Sequence, residues 1–87
     1  MTLFLTPNAE MDLAALPSVT AEKVVRVLAE LVVVPRSGRR IDDDPFGLER
    51  YCRVVRIRRR WSLRITYRIV GDVVWINAIR PSWAEDA

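Results

Sequence analysis

The rhythm of hydrophobic and polar positions changes twice along this chain. Thr2 to Thr6 alternates weakly and predicts a short first strand that Pro7 ends. Thr6 suits a helix cap and Pro7 a first helical turn, so a short helix is expected through about Leu16, with Glu10 and Asp12 near its positive end and Pro17 as its stop. Ser18 is read as the next cap. After it, Val24, Val27, Leu28 and Leu31 recur at the three-and-four spacing of one apolar face, which predicts a second helix as the main buried element. Val32 to Val34 extend that helix poorly because Cβ branching crowds the preceding turn, and Pro35 forces a stop. The two helices should form a hairpin joined at Pro17 and Ser18.

Residues 36–49 show no regular apolar period and contain Gly38, Pro45, Gly47 and the run Asp42-Asp43-Asp44, which reads as a loop. Consecutive aspartates point apart and no second acidic cluster accompanies them, so a solvated turn facing the arginines is expected and a metal site is not. From Tyr51 the rhythm becomes that of strands: Tyr51 to Arg58, Leu63 to Val70 and Val73 to Ile79, separated by an arginine turn and by Gly71-Asp72. In the middle run Ile65, Tyr67 and Ile69 alternate with Arg64, Thr66 and Arg68, so one face should meet the helices and a cationic face should stay open. Tyr67 then reads as a core tyrosine with its hydroxyl at the edge. Residues 81–87 read as a short tail. The resulting class is α+β: an N-terminal strand and a two-helix hairpin packed on a small antiparallel sheet of about four strands.

Length makes this one domain, residues 1–87, with a core assembled from few elements. Cys52 is the only cysteine, which excludes an internal disulfide, and the absence of histidine removes the usual zinc ligands, so neither metal nor other cofactor is expected. The apolar start is too short and lacks the basic residues of a signal peptide, and the longest apolar run, Leu31 to Val34, is far below a membrane span, so a soluble, cytoplasmic protein is expected.

Charge sharpens the picture. The net charge is only +3, yet residues 1–49 hold eight of the eleven acids while residues 50–80 hold nine arginines against Asp72 alone. One sign concentrated on one part of a small fold favours a polyanionic ligand or an acidic partner. Thirteen of the fourteen basic residues are arginine, whose planar fork binds phosphate bidentately and stacks on bases.

The order of strand, helical hairpin, loop and three strands resembles the RelE/ParE superfamily of bacterial toxins, and four segments carry the likeness. Val34-Pro35-Arg36-Ser37-Gly38 is similar to the family's link after its second helix, and Tyr51-Cys52-Arg53-Val54-Val55-Arg56-Ile57 to its next strand. Leu63-Arg64-Ile65-Thr66-Tyr67-Arg68-Ile69 resembles its most recognisable stretch, an arginine followed three residues later by tyrosine, and Val73 to Arg80 its last strand. The resemblance covers nearly the whole chain. It implies the toxin of a type II toxin-antitoxin module, RelE-like, which enters the ribosomal A site and cleaves messenger RNA by attack of a ribose 2′-hydroxyl on the adjacent phosphate.

By the same resemblance Arg64 is the residue expected to hold or protonate the scissile phosphate, with Arg80 as a second catalytic candidate. Arg53, Arg56, Arg58 and Arg68 would supply the surrounding RNA-binding field, and Trp83 could stack on a base. The structural alternatives are a solvated sheet face for Arg64 and Arg68, a charged hairpin tip for Arg59 and Arg60, and packing for Trp83. The chain departs from RelE-like nucleases in offering arginines where they often carry strand lysines, and Trp83 where a tyrosine or histidine often stands near the C-terminus. An arginine stays protonated and is a poor base. A ParE-like inhibitor of DNA gyrase, which needs no catalytic groups, is therefore the second reading, and a degenerate homologue that serves as an antitoxin-bound partner the third. All three imply a cognate antitoxin in a hetero-oligomer.

Overall fold

The computed structural model describes residues 1–41 and 46–83, the last of them in its backbone alone. The elements run β1 (Thr2–Leu5), α1 (Pro7–Ala14), α2 (Ser18–Val33), a 3-10 turn (Pro35–Ser37), β2 (Arg39–Ile41), β3 (Glu49–Arg58), β4 (Trp61–Val70) and β5 (Val73–Trp83). The strands form one sheet in the order β1-β5-β4-β3-β2. Its β2–β3, β3–β4 and β4–β5 pairs are antiparallel, and β1 lies parallel to β5.

The expected α+β architecture is present, with five strands rather than about four. The extra one, β2, lies in the segment expected to be a loop. Three residues are too few to show alternation, and β2 exists because Arg39 and Ile41 find Cys52 and Arg50 on β3 as ladder partners. The parallel pairing of β1 was also hidden, since strand order is a long-range property. β5 continues through Pro81 to Trp83, where a tail was expected, because β4 begins at Trp61 and offers partners for Pro81, Ser82 and Trp83. Proline is tolerated there because β5 is an edge strand once β1 has ended. The aspartate turn, residues 42–44, lies outside the described residues.

Thr6 caps α1 as its sequence suggests: the hydroxyl accepts from the Ala9 amide at 3.2 Å and donates to the Asn77 carbonyl at 3.1 Å, tying the helix start to β5. The helix ends at Ala14, two residues earlier than expected. Pro17 takes the cap position of α2 and Ser18 is its first helical residue, so Ser18 does not cap. The helix also runs through Val33, because the modest penalty of Cβ branching is offset by the continued ladder, in which the Val34 amide still reaches the Glu30 carbonyl at 2.8 Å.

Both helices cover one face of the sheet. Thr20, Val24, Leu28 and Leu31 are the buried stripe of α2, α1 contributes Ala9, and the sheet answers with Tyr51, Val55, Leu63, Ile65, Tyr67, Ile69, Val74, Ile76 and Ile79. The alternation on β4 is obeyed without exception: Leu63, Ile65, Tyr67 and Ile69 are buried and Arg64 and Val70 are exposed.

Tyr67 occupies the centre of this core, stacked on Tyr51 with ring centroids 5.4 Å apart. Its hydroxyl donates to the Pro35 carbonyl at 2.7 Å and accepts from the Gly38 amide at 3.1 Å, which pins the chain leaving α2 to the middle of the sheet. A Cβ at position 38 would lie 2.6 Å from that hydroxyl and 2.9 Å from the Cys52 carbonyl, so glycine is required there for close approach.

Tyr67→Phe leaves a carbonyl and an amide without their partner and should lower unfolding stability by about 1–3 kcal/mol in urea titrations, whereas Leu31→Ala should cost about 2–5 kcal/mol. Burial pushes the Tyr67 phenol above its ordinary value. Its contribution to stability should therefore be complete below about pH 10 and fall as pH rises through the folded-state value, a decline in urea midpoints that Tyr67→Phe should abolish.

Candidate nucleic-acid interface

The face of the sheet away from the helices is built from the other half of the same alternation. Register places its side chains in rows across the strands. One row is Val54, Arg64 and Arg80; the next is Arg39, Cys52, Thr66 and Ala78; the third is Ile41, Arg50, Arg68, Trp75 and Phe4. Rows on one face lie about 7 Å apart, so the first and third are separated by roughly 13 Å. Between them Cys52, Thr66 and Ala78 are small, so the middle row, beyond Arg39 at its β2 end, is the floor of a trough flanked by arginines.

A bulge keeps this face consistent. Thr66 pairs with Ala78 but Tyr67 pairs with Ile76, so Asn77 is the extra residue of β5. Beyond it the parity of inward positions shifts by one. Ile79 is buried and Arg80 is exposed opposite Arg64.

No strand residue on this face is acidic. Arg64 and Arg80 stand directly opposite each other, as do Arg50 and Arg68, and such like-charge pairs are unfavourable until an anion joins them. Among the described residues Arg56 and Arg64 have no acidic partner. The Nε of Arg68 is buried without an acceptor. Arg80 reaches the sheet edge, where its Nε donates to Asp12 Oδ2 at 3.2 Å, and the same oxygen accepts from the Ile79 amide at 3.0 Å. Asp12 is mostly buried while Arg80 stays 64% exposed, so α1 covers the unpaired edge of β5 and holds Arg80 at the end of its row.

The sequence candidates divide accordingly. Arg56, Arg64, Arg68 and Arg80 come together on the open face. Arg53 lies on the helical side, where its guanidinium donates to Glu30 at 2.9 Å and to Ser37 at 3.0 Å. Arg58 stands at the β3–β4 tip beside Trp61, in a surface cleft of about 1090 Å³ shared with Arg59, Arg60, Lys23 and Thr20. Trp83 pairs with Trp61 through its backbone, and its side chain lies outside the described residues. Arg36, not a candidate, forms a two-pronged pair with Glu49 at 2.9 and 3.0 Å; this pair, with a hydrogen bond from Tyr51, holds the Glu49 carboxyl below its ordinary value.

Phe4, Arg50 and Trp75 were missed. The rings of Phe4 and Trp75 stack at 5.2 Å on the open face, next to Arg68. Alternation around Trp75 is visible in the sequence, but its neighbours come from strand order. Chemically the face offers fixed cations and aromatic surface. It contains no histidine, and the Tyr67 hydroxyl is engaged on the opposite side.

No family model matches the sequence, and no curated relative matches it. Solved structures do. A chain of the intact RelBE toxin-antitoxin complex of E. coli superimposes with a TM-score of 0.76 at 18% identity, over 95% of this chain and 98% of that one. This chain has a RelE-like toxin fold. A chain of the RelBE2 toxin-antitoxin complex of Mycobacterium tuberculosis agrees, with a TM-score of 0.66 at 25% identity over 93% of this chain and 96% of that one. The RelE-like fold thus presents its open sheet face with an arginine pair at Arg64 and Arg80. No helix among the described residues is long and apolar enough to cross a membrane, and none of their acidic or cysteine side chains cluster as metal ligands.

Asp12→Ala should orphan the Ile79 amide and release Arg80, lowering stability by about 1–2 kcal/mol in chemical denaturation. Arg53→Ala should weaken the attachment of α2 to β3, with a loss below about 1 kcal/mol, because its pair with Glu30 is partly exposed.

Proposed function

We propose that this chain is the toxin of a type II toxin-antitoxin module and that it cleaves messenger RNA on the ribosome. The observation that carries the reading is the open face, whose described strand residues include no acid, with Arg64 set opposite Arg80 at one wall of the trough. The RelE-like fold supports it, since the matching chains come from toxin-antitoxin complexes.

In this reading the ribose 2′-hydroxyl oxygen of the message attacks the adjacent phosphorus, and the bond to the departing 5′-oxygen breaks. Negative charge accumulates on the phosphate oxygens. Arg64 offers two parallel donors to that charge, and Arg80, steadied by Asp12, offers the second cation. Arg56 and Arg68 hold the flanking phosphates. A face of arginines stabilises charge and positions the strand, but it cannot accept the 2′-hydroxyl proton, because guanidinium stays protonated. Removal of the 2′-hydroxyl proton and delivery of a proton to the departing 5′-oxygen therefore fall to water or to ribosomal groups, leaving a 2′,3′-cyclic phosphate and a 5′-hydroxyl, which is why the reading is a ribosome-dependent nuclease acting in the cytoplasm. A cognate antitoxin would neutralise the same cationic face.

Inducing the chain without antitoxin and mapping an abundant translated message by primer extension tests the proposal. New ends within translated codons are expected. Arg64→Ala should reduce them on the order of 100-fold while circular dichroism stays unchanged. Growth arrest with intact messages would instead point to gyrase inhibition, which needs no reacting groups on this face, and harmless expression would point to a purely antitoxin-bound homologue.

A further inference from the structure

The far wall of the trough is chemically unlike the wall formed by Arg64 and Arg80. Across four neighbouring strands it runs Arg50, Arg68, Trp75, Phe4. Phe4 is 48% exposed, although its companion Trp75 is mostly covered. The two rings stack at 5.2 Å with planes 23° apart, and both are carried on strand backbone, so the pair is held in place with the Phe4 ring as its more open member. Packing between β1 and β5 accounts for the pair but not for the cations aligned with it.

Arg68 is the more telling residue. Its Nε is buried with no acceptor, while the residue is the direct ladder partner of Arg50. A buried donor without a partner is unfavourable, and so is a second cation on the facing position of the next strand. Both penalties are relieved when an anion reaches the row and the guanidinium turns to meet it. An anion held at Arg68 lies beside the Trp75 ring. A planar aromatic group joined to a phosphate satisfies both neighbours at once.

We infer that the row Arg50, Arg68, Trp75, Phe4 is a nucleotide subsite of single-stranded RNA, in which one base stacks on the aromatic pair and its phosphate bridges Arg68 and Arg50. The inference rests on the proposed reading of the open face and adds a second point of attachment to it. Stacking of this kind tolerates every base because each has a flat face. The trough's small floor residues, Cys52, Thr66 and Ala78, leave room for the strand to pass from this subsite to Arg64, roughly 13 Å away.

The test uses the full chain with Trp61→Phe and Trp83→Phe, which leaves Trp75 as the sole indole, titrated at low salt with a short single-stranded 2′-O-methyl RNA that cannot be cleaved. Trp75 fluorescence should be quenched by the oligonucleotide and not by inorganic polyphosphate. In the otherwise unaltered chain, Trp75→Leu should weaken binding about tenfold or more. Arg68→Gln should lower the slope of affinity against salt by about one phosphate. Urea denaturation of each variant separates lost folding from lost binding.

Binding that depends on Arg64 but leaves Trp75 fluorescence and the Trp75→Leu affinity unchanged would overturn the subsite and leave the RNA reading standing. Equal quenching by polyphosphate would also overturn it, by reducing the row to a general anion site. Absence of any RNA binding at low salt would remove the RNA reading and the subsite together.

Discussion

A single phenolic hydroxyl organises this small protein. Tyr67 comes from the central strand, yet its oxygen is bonded on both sides to the crossover that leads from α2 into β2. The crossover must come close enough to reach it, so position 38 has no room for a side chain. With the crossover fixed, β2 lies against β3, and the Arg36–Glu49 pair joins the 3-10 turn to the start of β3. Helices and sheet are thus locked at the centre of the core, and among the described residues no helix covers the far side of the sheet.

That arrangement lets one set of strands serve two purposes. Every second residue of β4 packs on the helices, and the residues between them create the cationic surface. The charge of residues 50–80 overstates what reaches that surface. Arg53 is turned to the helical side and paired with Glu30, and Arg80 is drawn to the edge by Asp12. What remains is narrower than a uniformly basic sheet. The Arg64–Arg80 row and the Arg50–Arg68 row flank Cys52, Thr66 and Ala78, with Arg39 at the β2 end of that middle row; the first ends at an acid-steadied cation and the other at an aromatic stack.

Local pattern revealed much of this and long-range pairing concealed the rest. The cap at Thr6, the buried stripe Val24, Leu28, Leu31 and the two faces of β4 are properties of neighbouring residues, so they were legible. Strand β2 was not, because three residues carry no period, and neither was the parallel seat of β1 beside β5. Arg53 looked equivalent to Arg56 by composition, but the two differ by an odd number of positions along one strand and therefore face opposite ways. The Phe4–Trp75 stack joins residues seventy-one positions apart. Only the register of β1 on β5 brings them together.

The bulge at Asn77 has a consequence for how such a protein can change. Upstream of it the inward residues of β5 are Val74 and Ile76, and downstream the inward residue is Ile79, a step of three instead of two. Loss of that one codon would close the bulge and still leave Ile79 opposite Ile65 and Arg80 opposite Arg64, whereas loss of a paired residue such as Thr66 would swap the faces beyond it and drive Arg64 or Arg68 into the apolar layer. Substitutions on the open face, in contrast, leave the core untouched. The lineage of this chain is therefore free to exchange the side chains that meet a ligand, but along β5 the position that can be shed without turning its neighbours over is the unpaired one at the bulge.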